Sequence, residues 1–169
     1  MNKSLFLLSL FICFNLSGQS DKEPLSIFEK HQEVKLGVLK ILAGPIFEGT
    51  YEYVKNRNMG YGASLLVNLN SGNDYFENVS ITPFFRMYFD RDEQYGAKGF
   101  FVESFLSLYS GEDKGQSYFD TALGFSLGQK WINSAGFIFE VKLGAGRNLF
   151  GDAPFEAIIK GDFSIGYRF

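Results

Sequence analysis

The sequence predicts an all-β fold: an eight-stranded antiparallel up-and-down transmembrane β-barrel with a filled polar lumen. Three observations predict it. The chain ends on a strict alternation, with Phe163, Ile165, Tyr167 and Phe169 on one parity and Lys160, Asp162, Ser164, Gly166 and Arg168 on the other. This is the period of a strand with one greasy and one wet face. The same alternation recurs upstream from Glu33 with little interruption. Aromatic content is 18 %, with 20 Phe and 9 Tyr against 1 Trp, more ring surface than a small soluble core requires.

The 169 residues divide into three parts. Residues 1–19 read as an export signal, with Lys3 as the positive start and Leu5 to Leu16 as the apolar stretch. That stretch is short of the roughly 20 residues a spanning helix needs. Ser17-Gly18-Gln19 offers small residues for cleavage. Cys13, the only cysteine, lies inside the signal, and Phe11-Ile12 before it does not suit lipid attachment, so the exported chain is expected to have neither disulfide nor thiol chemistry. Residues 20–32 form a polar lead-in containing Pro24, and 33–169 form the barrel. The net charge of −3 becomes −4 once Lys3 is removed, and no basic patch is present, which excludes a nucleic-acid partner.

The strands follow in order. Val34, Leu36 and Val38 oppose Glu33, Lys35 and Gly37, and Lys40 breaks the pattern as a bulge or strand end. After Ala43-Gly44-Pro45, Phe47, Tyr51 and Tyr53 oppose Glu48, Thr50 and Glu52. A polar turn at 55–60 leads to Tyr61, Ala63, Leu65, Val67 and Leu69 against Gly62, Ser64 and Asn68, with Leu66 as an exception. A loop at 70–77 precedes Val79, Ile81, Pro83, Phe85, Met87 and Phe89, set against Ser80, Thr82, Phe84, Arg86 and Tyr88. Pro83 cannot donate to a ladder, so a bulge or broken pairing is expected there. Beyond a turn at 90–98, Phe100, Val102, Leu106 and Leu108 oppose Glu103 and Ser107, and 110–116 reads as a loop. The sixth run sets Phe119, Thr121, Leu123, Phe125, Leu127 and Trp131 against Asp120, Ala122, Gly124, Ser126, Gly128 and Lys130. The seventh, after Asn133-Ser134, sets Phe137, Phe139, Val141, Leu143 and Ala145 against Glu140, Lys142, Gly144 and Gly146. A last loop at 149–154 leads into the closing strand. No run has a helical period.

The apolar face is expected to point outward. The other face is rich in Gly and Ser, which suit the crowded interior of an eight-stranded barrel. Its charges also balance: Lys35, Arg86, Lys130, Lys142, Lys160 and Arg168 against Glu48, Glu52, Glu103, Asp120, Glu140 and Asp162. A buried lumen needs that pairing, because an unpaired buried charge is costly. These twelve residues are the expected lumen ion-pair network. Tyr53, Tyr61, Phe89, Phe100, Trp131, Phe137 and Phe169 fall on the apolar parity at strand ends of one side, and are expected to form a periplasmic aromatic girdle.

Gly166-Tyr167-Arg168-Phe169 resembles the C-terminal signal read by the outer-membrane assembly machinery of Gram-negative bacteria, with Phe163, Ile165, Tyr167 and Phe169 as its apolar residues. Through Ser80-Ile81-Thr82-Pro83-Phe84-Phe85-Arg86, Gly99-Phe100-Phe101-Val102-Glu103 and Gly146-Arg147-Asn148-Leu149-Phe150, the span 33–169 resembles an uncharacterised family of small outer-membrane β-barrels, a domain of unknown function. Its shape is similar to OmpA- and OmpX-type barrels. The resemblance implies an outer-membrane location, with membrane lipid and the assembly machinery as partners, and it brings no substrate.

Little in the sequence carries chemistry. His31, the one histidine, sits in the lead-in and lacks a nucleophile beside it. Glu103, Glu140 and Asp162 are accounted for as lumen ion pairs. Asn73-Asp74 and Glu112-Asp113 lack the ligand spacing of a calcium loop. No glycine-rich phosphate loop precedes a helix. No enzyme, cofactor or metal is therefore expected. The function expected is a structural or surface-interaction role without an open channel, with Tyr75, Phe76, Tyr109, Phe150 and Phe155 as loop residues for an extracellular ligand the sequence does not identify. The alternatives are a lipid-modifying outer-membrane enzyme, a small transporter, or a secreted lipocalin-like binding barrel with its apolar face turned inward.

Overall fold

Each strand pairs antiparallel with the one before it, and the last returns to the first, so the sheet closes with no free strand at either side. The computed structural model describes residues 29–70, 75–89, 96–151 and 153–169. The expected export signal with Cys13, Pro24 and the lead-in up to residue 28, Asn73-Asp74 and most of the 90–98 turn lie outside them. The strands are β1 (Gln32–Gly37), β2 (Ile46–Asn56), β3 (Met59–Asn68), β4 (Val79–Tyr88), β5 (Gly99–Asp113), β6 (Gln116–Ile132), β7 (Phe137–Asn148) and β8 (Ala157–Arg168), with one short helix, α1 (Val38–Ala43), between β1 and β2. One end of the barrel carries the start of β1, the end of β8 and the turns after β2 and β6, and is called here the terminal end. The distal end carries α1 and the connections after β3, β5 and β7.

Parity fixes which residues face which side. Val34, Phe47, Tyr51, Leu65, Ile81, Phe85, Leu123, Leu127, Phe139, Leu143 and Ile165 all point away from the interior and are 41–66 % exposed. Their neighbours Lys35, Glu52, Ser64, Arg86, Glu103, Ser126, Lys130, Glu140 and Arg168 point inward and are buried. This inverts the soluble arrangement, in which charged side chains are almost never fully buried unless paired.

Two segments differ from the sequence reading. Residues around Lys40 form neither bulge nor strand end but the six-residue helix α1, which replaces the upper part of β1. β1 consequently pairs with β8 only from Gly37↔Ser164 to Glu33↔Arg168, and the wall beyond is completed by α1. Helix formation here fits the residues available, since Leu39, Lys40 and Leu42 are good helix formers and Gly37 and Gly44 bracket them. Residues 110–116 are not a loop. β5 and β6 continue as a ribbon to Asp113↔Gln116 and turn on Lys114 and Gly115, whose φ angles of 50° and 80° are those of a tight two-residue hairpin. At Pro83, where a bulge or broken pairing is expected, it is the pairing that breaks: the register of β4 with β5 is the same on both sides, Ile81↔Leu108 and Phe84↔Phe105, with no bulge.

The interior is also less uniformly polar than expected. Phe84, Tyr88, Phe101, Phe105 and Tyr109 from β4 and β5 all point inward and are buried. Glycines on the neighbouring strands make room for them: a Cβ at Gly124 would strike the Phe105 ring, one at Gly128 the Phe101 ring, and one at Gly62 the Phe84 ring, each glycine being that ring's partner in register. Each large ring thus lies over the bare backbone of the strand beside it, which lets it fit inside the narrow lumen. Gly128→Val should lower the unfolding free energy by about 1–3 kcal/mol through overpacking against Phe101. Ala63→Val, on the outward face, should stay within about 0.5 kcal/mol. Urea unfolding of the folded barrel followed by the fluorescence of Trp131 measures both.

Candidate functional site

The most concentrated chemistry in the molecule is the charge network inside the barrel. β1, β2, β4, β5, β6, β7 and β8 each send at least one charged side chain into the terminal half of the lumen, because polar residues recur there at every second position. Glu52 lies at the centre. It accepts from Lys35 Nζ at 2.6 Å and Arg86 Nη1 at 2.9 Å, from Lys130 Nζ at 3.4 Å, and from the Tyr88 hydroxyl. Glu140 accepts from Lys35 at 2.7 Å and from both Arg86 Nη atoms at 2.7 and 2.8 Å. Glu103 takes the remaining Arg86 donor, Nε, at 2.5 Å. Arg86 therefore spends its planar fork on three carboxylates from β2, β5 and β7, a task one lysine could not perform. Its guanidinium carbon also sits 4.6 Å from the Phe84 ring centre and 4.3 Å from that of Phe101.

Glu33 extends the network toward the terminal end. It holds Lys130 Nζ at 2.9 Å and Arg168 Nη2 at 2.6 Å. Arg168 in turn donates to the carbonyls of Gly96 and Ala97 at 3.0 and 3.1 Å, which ties the β4–β5 connection across the mouth. A second group of charges occupies the distal half: Lys40 pairs with Glu48, Lys160 with Glu77 at 2.9 Å, and Lys142 reaches back to Glu103 at 3.5 Å. The Asp162 carboxylate lies where a Cβ on Gly37 would be.

All twelve residues expected in the lumen lie on inward-facing positions, and the pairs join strands far apart in sequence, such as Lys35 with Glu140 and Glu33 with Arg168. Asp120 has a different task from ion pairing along the strands. Its carboxylate accepts from the amides of Thr121 at 2.6 Å, Phe150 at 3.3 Å and Ala153 at 3.1 Å, so it anchors the β7–β8 connection. Sequence reasoning missed Glu33, Lys40 and Glu77. Glu33 shares the parity of Lys35 and was legible. Lys40 enters the lumen from a helix and Glu77 from the loop before β4, where strand parity gives no guidance.

Aromatic rings pack together at the distal mouth. Phe76, Tyr109, Tyr118 and Phe155 contact one another, with Tyr109 and Phe155 stacked at 6.4 Å and the others meeting edge to face. Tyr109 is in β5 rather than a loop, and it donates to Asn148 Oδ1 at 2.8 Å, while Tyr118 donates to the Phe76 carbonyl at 2.5 Å. Of the five residues expected on loop surfaces, Phe76, Tyr109 and Phe155 are thus packed into this cluster, whereas Phe150 is 71 % exposed. Burial pushes the Tyr75 hydroxyl above its ordinary range, and the Glu77 carboxylate adds to the effect.

At the terminal end the seven girdle residues face outward around the barrel. Tyr53 meets Tyr61 at 5.5 Å, Phe89 meets Phe100 at 6.1 Å and Phe137 meets Tyr167 at 5.5 Å, while Trp131 and Phe169 are each about half exposed. His31 lies beside them, its Nδ1 donating to the Val54 carbonyl at 2.8 Å, and lines a cavity of about 200 Å³ with Arg57, Gly96 and Arg168 among its walls. Among the described residues no group of three His, Cys, Asp or Glu side chains is arranged to hold a metal ion. Comparison with protein-family models, curated proteins and solved structures gives no match.

Chemically, the interior arrangement cross-links strands and fills the bore. Glu52→Leu strands Lys35, Lys130 and Arg86 around an apolar group and should cost about 3–5 kcal/mol of stability. Glu112→Leu, on the exposed ribbon, should change it by less than about 0.5 kcal/mol. The urea midpoints of the two variants against the parent decide whether the network carries stability.

Proposed function

We propose that the protein is an outer-membrane β-barrel that crosses the bilayer with its eight strands, has no open channel, and serves a structural or surface-interaction role. One observation carries this reading: the outward face of the strands is a continuous apolar belt. From Phe119 to Trp131 along β6 its large side chains are Phe119, Leu123, Phe125, Leu127 and Trp131, each at least half exposed. Twelve residue steps of about 3.3 Å at a tilt of about 40° give an apolar height of roughly 30 Å, close to the band expected of a membrane barrel. Among the described residues the outward charges, such as Lys55, Glu112 and Arg147, come only at the ends of strands. Closure supports the same reading, since a sheet in lipid must satisfy its backbone within itself.

Under this proposal the terminal end faces the periplasm and the aromatic girdle lies at that interface. The distal end with the β5–β6 ribbon faces outward, and Phe169 with Tyr167, Ile165 and Phe163 forms the signal read by the assembly machinery. The interior ion pairs and the ring cluster support a closed bore rather than a pore. Exposed Leu149 and Phe150 with the ribbon tip are the surface available to an extracellular partner.

Heat-modifiable gel migration tests the proposal. Protein recovered from outer-membrane fractions should migrate differently before and after boiling. Recovery as soluble protein with no shift would overturn it in favour of a secreted barrel.

A further inference from the structure

The apolar belt is not smooth. Between β6, β7 and the start of β8 a groove of about 450 Å³ opens on the outer surface near the distal end. Leu123 and Phe125 form one wall, and Ala145 and Ala157 are too small to fill the space opposite them. Its floor is the bare backbone of Gly124 and Gly146, the same glycines that admit the Phe105 ring from inside. The glycines thus thin the wall on both faces at one place. The groove falls within the size range of ligand sites.

Two side chains of opposite charge lie at the distal lip of this groove: Arg147 at the end of β7, opposite Ala157 in register, and Glu156 one residue before β8. Both are exposed, and among the described residues neither side chain has a hydrogen bond or an ion pair. An outward arginine at the edge of an apolar belt places its stem on apolar surface and its guanidinium at the polar boundary. A guanidinium suits a phosphate and a carboxylate suits an ammonium.

Resting on the membrane reading above, the geometry points to a lipid site. One acyl chain lies along Leu123, Phe125 and Ala145, the headgroup phosphate meets Arg147, and a primary ammonium on the same headgroup meets Glu156. The ligand class is therefore a phosphoethanolamine lipid, and an anionic lipid lacking the amine would leave Glu156 facing a phosphate without compensation.

The test uses the full barrel reconstituted into vesicles of phosphatidylethanolamine and phosphatidylglycerol in equal parts, extracted in mild detergent and examined by native mass spectrometry. The parent protein should retain one phosphatidylethanolamine in preference to phosphatidylglycerol. Ala145→Trp, which fills the groove from the outward face, should reduce that retention about ten-fold, equivalent to about 1.4 kcal/mol. Arg147→Glu should do the same, and Glu156→Gln should abolish the preference between the two lipids. Each variant must keep the parent's heat-modifiable migration, so that loss of lipid is not loss of fold. Equal retention of both lipids by the parent, or undiminished retention by Ala145→Trp, would overturn the site while leaving the membrane reading intact. Failure of the parent to enter vesicles at all would overturn both.

Discussion

Everything in this barrel depends on how the charges enclosed by its strands are satisfied. Glu33, Glu52, Glu103 and Glu140 are buried with Lys35, Arg86, Lys130 and Arg168 in the terminal half of the lumen, where there is little water to solvate them. Each carboxylate is met by at least one cation from another strand. The pairing is non-local: Arg86 on β4 bonds at once to β2, β5 and β7, so it fixes the bore as a whole and not one hairpin. Such a network adds little if it is merely compared with a well-packed apolar interior, but losing one member leaves the others uncompensated. That asymmetry makes the network a specifier of strand number and register as much as a source of stability.

The second constraint is volume. An eight-stranded barrel has an interior wide enough for side chains and little more. The charged cluster occupies the terminal half together with Phe101, which packs with Val54, Tyr88 and Ala97, while Phe84 and Phe105 lie further along the bore against glycine backbone on β3, β6 and β7. The rings of Phe76, Tyr109, Tyr118 and Phe155 then pack together at the distal mouth. Among the described residues, salt bridges thus occupy the bore toward one end and aromatic packing toward the other. The apolar residues left over by this arrangement lie on the outside, and the proposed bilayer is the solvent that accounts for them.

Much of this was legible because a barrel strand has a period of two and nothing else to obey. Strand number, antiparallel order and the facing of Lys35, Arg86, Glu103 and Glu140 follow from parity alone. What was not legible lies where parity stops. Residues 38–43 break the alternation at Lys40, which six residues leave open to a bulge, a strand end or a helix, and only the length of β1 against β8 reveals that the wall is completed by α1. The 110–116 segment is polar and glycine-containing, which reads as a loop, yet the tight turn at Lys114-Gly115 lets the ladder run to its tip. Inward aromatics escape a reading that sorts residues by polarity: Phe101 and Phe105 because their partners in register are glycines, and Tyr109 because it packs among rings that come from other strands and loops. The ion-pair partners across the lumen depend on the barrel's closure and stagger, which no single strand encodes.

The central claim is that the outward face meets lipid. Trp131 is the only tryptophan, it faces outward beside the terminal-end aromatics, and it is 50 % exposed. Its fluorescence in vesicles of lipids brominated at a known chain depth tests the claim most directly. Trp131 should be quenched most by bromines near the headgroup, and a tryptophan moved to Leu127 in a Trp131→Phe background should be quenched most by bromines deeper in the chain. Equal fluorescence in brominated and ordinary lipid at both positions would place the apolar belt outside the bilayer and contradict the account.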